Sequence, residues 1–180
     1  MATASNTTVL IYELIGIVFI IFLGSALHFT FALSGNQPFV GAFSAVNESV
    51  WEHLKLAFWP SLLFTVIEYP MLRKVANNFF TAKTIGAYLT VTIIPLVFYS
   101  YTALSGKSIF AIDISSFVVA VTIGQLISYK LLTYRQLPRN INKIAFAAII
   151  LLTIAFILFT YYPPQLQIFK DSLTGKYGIP

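Results

Sequence analysis

Long runs of apolar residues, separated by short polar stretches, dominate the hydropathy pattern of the chain. A transmembrane helix needs about 17–25 mostly apolar residues, and five segments of the chain fit that range. They are residues 9–33, 54–71, 84–104, 109–133 and 142–162. The pattern therefore predicts an all-α protein in which five membrane-spanning helices form one bundle domain over residues 1–180.

The lysines and arginines are distributed unevenly between the two sides of this bundle. The side with the N-terminus and the links after the second and fourth spans holds Arg73, Lys74, Lys83, Lys130, Arg135, Arg139 and Lys143. The opposite side holds Lys55, Lys107, Lys170 and Lys176. Because basic residues favour the cytoplasmic side, we expect the N-terminus inside and the C-terminus outside. A loop at 34–53 and a tail at 163–180 then share the outer face.

Composition excludes a water-soluble domain. The chain is 58% hydrophobic and 9% charged, with a mean hydropathy of +0.83, whereas soluble domains carry about 25% charged residues. The net charge is +5. Because the lysines and arginines lie between the apolar segments, this charge reflects membrane topology, and we expect no nucleic-acid partner. The absence of cysteine excludes disulfides and thiolate metal sites. We expect a multi-pass protein of the cell membrane, with the lipid bilayer as its main partner.

Ionisable residues are concentrated in one nonapeptide, NESVWEHLK, at positions 47–55. Asn47 and Ser49 are both good helix N-cap residues, and Ser49 and Glu52 have the spacing of a capping box. Since both residues cannot cap the same helix, the second predicted helix should begin within positions 47–50.

Equal spacings relate the first two spans. Glu13 precedes His28 by 15 residues, and His53 precedes Glu68 by 15 residues. At a rise of 1.5 Å per residue, each separation is about 22 Å. Because adjacent spans run antiparallel, the two histidines should lie at one level, in an outer layer. The two glutamates should lie near the other face, in an inner layer.

The predicted outer layer contains His28, Glu48, Glu52, His53 and Asp113. Imidazole nitrogen and carboxylate oxygen suit divalent metals such as zinc or iron. A metal site would use His28 and His53, with Glu52 or Glu48 as a ligand or base and Asp113 as a further candidate. The cluster is equally able to handle protons. A purely structural role competes with both, because no H-E-x-x-H element is present and His53 points about 100° away from Glu52 on a regular helix. Asp113 has Lys107 nearby as an alternative partner.

The predicted inner layer contains Glu13 and Glu68. Ion pairing at the membrane interface explains these two residues, with Arg73 and Lys130 available as cations. Alternatively, the inner and outer layers are the two ends of one proton path through the bundle.

Three segments carry a resemblance to a known family. They are Gly24-Ser25 with His28-Phe29, the stretch GAFSAVNESVWEHLKL at 41–56, and FKDSLTGKYGI at 169–179. With these segments the chain resembles a family of small prokaryotic multi-pass membrane proteins that is classified only as a domain of unknown function. Ala45 stands where that family usually has proline. The resemblance covers nearly the whole chain and implies the same membrane architecture, but it implies no activity.

Three classes of function are compatible with these residues. The first is a membrane-embedded site that binds a divalent metal or handles protons for a hydrolytic or redox reaction, which leaves enzymatic activity open. The second is a structural or accessory subunit of a larger membrane complex, such as an oxidase or oxygenase, with the tail packed over the outer loop or a partner. The third is a small transporter, which would need to be a homo-oligomer because the span count is low and no inverted repeat is visible.

Overall fold

The computed structural model describes the backbone of residues 2–180 and the side chains of residues 6–180. The α-helices are α1 (Ala2–Leu33), α2 (Pro38–Gly41), α3 (Val50–Leu72), α4 (Phe79–Ser105), α5 (Phe110–Thr133) and α6 (Arg139–Tyr161). A short 3₁₀-helix, Gln167–Phe169, follows in the tail. No β-strand occurs in the described backbone, so the all-α prediction is confirmed.

Four of these helices are long and apolar enough to cross a membrane. They are α1 from Asn6, α4, α5 and α6. The fifth predicted span, α3, is not among them, although its 23 residues would extend about 34 Å. The charged side chains of α3, Glu52, Lys55 and Glu68, are all buried against other helices. A total of five spans therefore stays a prediction, as does the orientation.

Two lysines lie elsewhere than the sequence suggested. Lys83, expected in a link, lies inside α4, and Lys55, expected at the outer water interface, is fully buried in α3. Both assignments are wrong for one reason: each ammonium group is neutralised by buried carboxylates, so neither needs water. With Lys83 removed from one side and Lys55 from the other, the side with the N-terminus still holds more basic residues. The expected orientation is therefore unchanged.

Close helix contacts bring α1 and α3 together. α1 packs on α3 and α5, and α4 packs most extensively on α5. At Gly24 the two backbones nearly touch, since a Cβ atom there would lie 2.3 Å from the carbonyl oxygen of Leu56. His28 lies one turn beyond Gly24 and His53 about one turn before Leu56, so this approach sets the two histidines side by side.

The tail closes the end of the bundle where α1 ends and α3 begins, which we call the histidine end. The Phe169 ring lies 4.8 Å from the Trp51 ring, and the Asn47 amide donates a 2.8 Å hydrogen bond to the Gly178 carbonyl. The tail therefore packs over the start of α3 and the loop that precedes it. The opposite end, with Glu13 and Glu68, is the carboxylate end.

Candidate functional site

The first turn of α3 fixes the positions of the nonapeptide residues. α3 begins at Val50, and the Ser49 hydroxyl caps it by accepting a 3.3 Å hydrogen bond from the Glu52 backbone N–H. Asn47 acts one step earlier, where its side-chain oxygen accepts a 2.9 Å bond from the Ser49 N–H. Consequently Glu48 lies before the helix and does not share a helix face with Glu52.

The two histidines meet at the histidine end. His28 Nε2 lies 3.2 Å from His53 Nε2. His53 Nδ1 lies 2.9 Å from the carbonyl oxygen of Ser49. Because a carbonyl oxygen only accepts hydrogen bonds, Nδ1 of His53 must carry a proton. In a neutral His53 ring, Nε2 therefore presents a lone pair to the other groups of the site.

Glu48 completes a group of three. Its Oε2 lies 3.3 Å from His53 Nε2, and its Oε1 lies 3.8 Å from His28 Nε2. In its protonated form, His53 donates a hydrogen bond that lowers the pKa of the Glu48 carboxyl, against an opposing effect of partial burial. Glu48 is therefore an ionised carboxylate at neutral pH. Each of the three residues offers one ligand atom, and these atoms all lie within 4.8 Å of one another.

The tail holds Glu48 in place. The Glu48 backbone N–H donates a 3.2 Å hydrogen bond to Oδ1 of Asp171. The Leu173 N–H donates to the same oxygen, and the Thr174 N–H donates to Oδ2 of Asp171. Burial raises the pKa of the Asp171 carboxyl, but the hydrogen bonds that it accepts lower the pKa by more, so the net shift is downward. An ionised Asp171 thus connects the tail to the residue that approaches both histidines.

A cleft of about 340 Å³ opens beside Glu48, between the tail and α4. Its walls include Glu48, Val50, Phe98, Tyr99, Lys170 and Asp171. The cleft is lined by apolar rings as well as charged groups, and it reaches the site from the side of Glu48.

Glu52 and Asp113, predicted for the same cluster, lie elsewhere. The Glu52 carboxylate is 2.5 Å from the Lys55 ammonium and accepts a 3.0 Å bond from the Val46 N–H. Asp113 accepts a 2.5 Å hydrogen bond from the Tyr101 hydroxyl in place of the expected pairing with Lys107. The structure therefore brings Glu48, rather than Glu52 or Asp113, to the histidines.

The carboxylate end contains a second ionisable group of residues. Lys83 forms ion pairs with both Glu13 and Glu68, so the cation comes from α4 rather than from Arg73 or Lys130. The apolar pattern did not indicate this partner, because it placed Lys83 in the link between two spans. A start of α4 at Phe79 would have put Lys83 one turn inside the helix.

Comparisons with known proteins give one match. A family model described as "Family of unknown function (DUF6512)" matches residues 1–179. No curated protein and no solved structure matches the chain. The matched range includes the histidine end, the carboxylate end and the tail, while the family description specifies no activity.

Proposed function

The chain belongs to the family of unknown function DUF6512, and we propose that its histidine end binds one divalent transition-metal ion. The ligands would be Nε2 of His28, Nε2 of His53 and the carboxylate of Glu48. The observation that carries this proposal is the convergence of these three ligand atoms within 4.8 Å of one another.

The distances match those around a small metal ion. In tetrahedral coordination with ligands at about 2.0–2.1 Å, neighbouring ligand atoms lie about 3.3–3.4 Å apart. The imidazole nitrogens lie 3.2 Å apart, and His53 Nε2 lies 3.3 Å from Oε2 of Glu48. His28 Nε2 lies 3.8 Å from the other carboxylate oxygen, Oε1. The two histidines therefore face different oxygens of Glu48, and coordination through one oxygen would require a rotation of the carboxylate.

The groups around the ligands support the same conclusion. Metal-bound histidines usually donate their second N–H to a carbonyl or carboxylate, which fixes the ring and its tautomer. His53 does so to the Ser49 carbonyl, and Asp171 holds the backbone of Glu48. A neutral His53 has no proton at Nε2 for Glu48 or His28, so a cation between the three residues would satisfy all of them.

The site would have an open coordination position. Zinc sites with three protein ligands keep a fourth position for water or substrate, and two histidines with one carboxylate also suit iron(II). The side chains of His28, Glu48 and His53 are 34%, 41% and 33% exposed, so they leave room for a further ligand. Bound metal would act there as a Lewis acid or lower the pKa of a bound water, with the cleft beside Glu48 as the route for a reactant.

Purified protein should bind one equivalent of Zn²⁺ or Co²⁺, and His53→Ala and Glu48→Gln should each weaken binding by about 100-fold or more. Loss of a supporting residue alone costs 10–100-fold in known sites, and these variants remove ligands. The measurement is calorimetric titration in detergent, with elemental analysis, on full-length protein that carries no polyhistidine tag.

Asp113→Asn is the matched control for this titration, because Asp113 is an acid that the structure pairs with Tyr101, away from the histidines. This variant should bind metal like the wild type. A wild-type protein without stoichiometric binding would contradict the metal site. The proposal would also be lost if Asp113→Asn and His53→Ala weakened binding equally, since metal binding would then not depend on the trio.

We further propose that the protein lies in the cell membrane with five spans, the N-terminus inside and the histidine end outside. Burial of Glu52, Lys55 and Glu68 supports α3 as a span, because charges shielded by protein are compatible with a bilayer. The basic residues of the links after α3 and α5 support the orientation.

Cysteine labelling tests this topology, because the chain has no cysteine of its own. Gln37→Cys and Gln136→Cys place the same change at exposed positions on opposite ends of the bundle. In intact cells, a membrane-impermeant maleimide should label Gln37→Cys, and Gln136→Cys only after permeabilisation. The reverse pattern would invert the orientation, and labelling of both variants in intact cells would exclude an odd number of spans between them.

A further inference from the structure

Two buried carboxyl groups share one ammonium group at the carboxylate end. Glu13 of α1 and Glu68 of α3 are both 0% exposed, and Lys83 of α4 is 7% exposed. The Lys83 ammonium contacts Oε1 of each glutamate. Oε2 of Glu13 and Oε2 of Glu68 lie buried with no hydrogen-bond partner.

The charges of this group do not balance when both glutamates are ionised. Two carboxylates and one ammonium leave a net charge of −1 among side chains that water does not reach. A buried charge without a partner costs several kcal/mol in a protein interior. When two carboxylic acids lie close together, one of them commonly keeps its proton for this reason.

We propose that Glu13 and Glu68 form a proton-binding site within the membrane-spanning bundle, with one proton held at neutral pH. Proton binding brings the group to zero net charge, as one neutral carboxyl, one carboxylate and one ammonium. The proton would occupy an Oε2 atom, because both Oε1 atoms face Lys83. This proposal is independent of metal binding at the histidine end.

The site lies within reach of one membrane face. Glu13 is seven residues inside the apolar part of α1, which begins at Asn6, so it lies about 10 Å from that end. Lys83 is four residues inside α4, or about 6 Å. The proton would therefore exchange with the water at the carboxylate end, which is the inner side in the predicted orientation.

The remaining neighbours leave the charge uncompensated. α5 supplies the Ser128 hydroxyl, 3.3 Å from Oε1 of Glu13, and no charged group. The electrostatic interactions of the two glutamates are with Lys83 and with each other. A sodium ion is the other way to supply one positive charge, but the Lys83 ammonium already occupies the position between the two Oε1 atoms.

Infrared spectroscopy of the full-length protein in lipid tests the proposal directly. A protonated carboxyl group gives a C=O stretching band that is separate from the carboxylate bands and shifts in D₂O. The wild type should show this band at neutral pH, where a solvated glutamate is ionised. Glu13→Gln and Glu68→Gln should each abolish it, because the one remaining carboxyl then forms a neutral ion pair with Lys83.

Asp113→Asn is the control, because it also replaces a carboxyl group by an amide, at a residue that pairs with Tyr101 away from the carboxylate end, and it should leave the band intact. Absence of the band from the wild type would overturn the proposal, as would a band that persists in both single variants. If the band appeared only in the absence of sodium, a bound sodium ion would balance the charge in place of the proton, and the proposal would be overturned. Loss of the band in both single variants would support a proton that needs both carboxyls. Loss in only one variant would indicate a lone protonated glutamate and would overturn the shared site.

Discussion

Lys55→Met should destabilise the folded protein by about 3–5 kcal/mol, the range measured when one partner of a buried ion pair is removed. The Lys55 side chain is 0% exposed and Glu52 is 3% exposed, so water cannot replace the lost ammonium group. Lys55 also donates hydrogen bonds of 2.6 Å to the Gly41 carbonyl and 2.8 Å to the Thr160 hydroxyl. Its removal leaves a buried carboxylate and weakens the attachment of the 34–49 loop to α6.

Thermal unfolding in detergent measures this effect, as a decrease in the apparent Tm on the order of 10 °C. Lys107→Met is the control, because Lys107 is exposed and should tolerate the same change. The double variant Lys55→Met with Glu52→Gln should be more stable than Lys55→Met alone, since no unpaired charge remains. Equal Tm values for Lys55→Met and Lys107→Met would contradict a structural ion pair here.

The rise and turn per residue of an α-helix predicted the part of the site that lies on regular helices. Matched spacings in α1 and α3 placed His28 and His53 at one level, and their Nε2 atoms lie 3.2 Å apart. The same arithmetic placed His53 and Glu52 on different faces, and Glu52 does lie apart from the histidines. These results depend only on the rise and turn of a helix, which a sequence contains.

Helical spacing gave no correct position for Glu48, because the chain is not helical there. A helix that starts at position 47, as the sequence allows, would include Glu48, but α3 begins at Val50. Glu48 instead takes its position from the turn at Asn47 and from Asp171. Asp171 is 123 residues away from Glu48 in sequence, and no periodic pattern in one sequence indicates such a contact.

Lys55 and Lys83 are buried, whereas the sequence pattern predicted both at the ends of the bundle. A lysine at the edge of an apolar segment usually lies at the membrane interface, and that rule was applied to both Lys55 and Lys83. The partner of Lys55 is Glu52, three residues away on the same helix. Helical spacing alone is therefore enough to suggest this ion pair. Glu13 lies 70 residues from Lys83, so their pairing required the three-dimensional arrangement of the helices.

Lys83→Met should be at least as destabilising as Lys55→Met, with an expected loss of about 3–5 kcal/mol. Lys83 is the only cation that contacts Glu13 and Glu68 among the ion pairs of the described residues. Without it, two buried carboxyl groups must either both take up protons or remain charged in the bundle. Equilibrium unfolding in mixed detergent micelles measures the loss, and Lys143→Met, at an exposed position of α6, is the control.

Restoring the charge balance should restore stability. In the triple variant Lys83→Met with Glu13→Gln and Glu68→Gln, none of the three buried groups can carry a charge. Most of the lost stability should therefore return, even though both ion pairs of Lys83 are gone. Recovery would show that the penalty comes from unpaired buried charge, because replacing a whole buried ion pair by neutral groups is often tolerated. If the triple variant were as unstable as Lys83→Met, packing by the lysine stem would be the cause. In that case unpaired buried charge would not explain the instability of Lys83→Met.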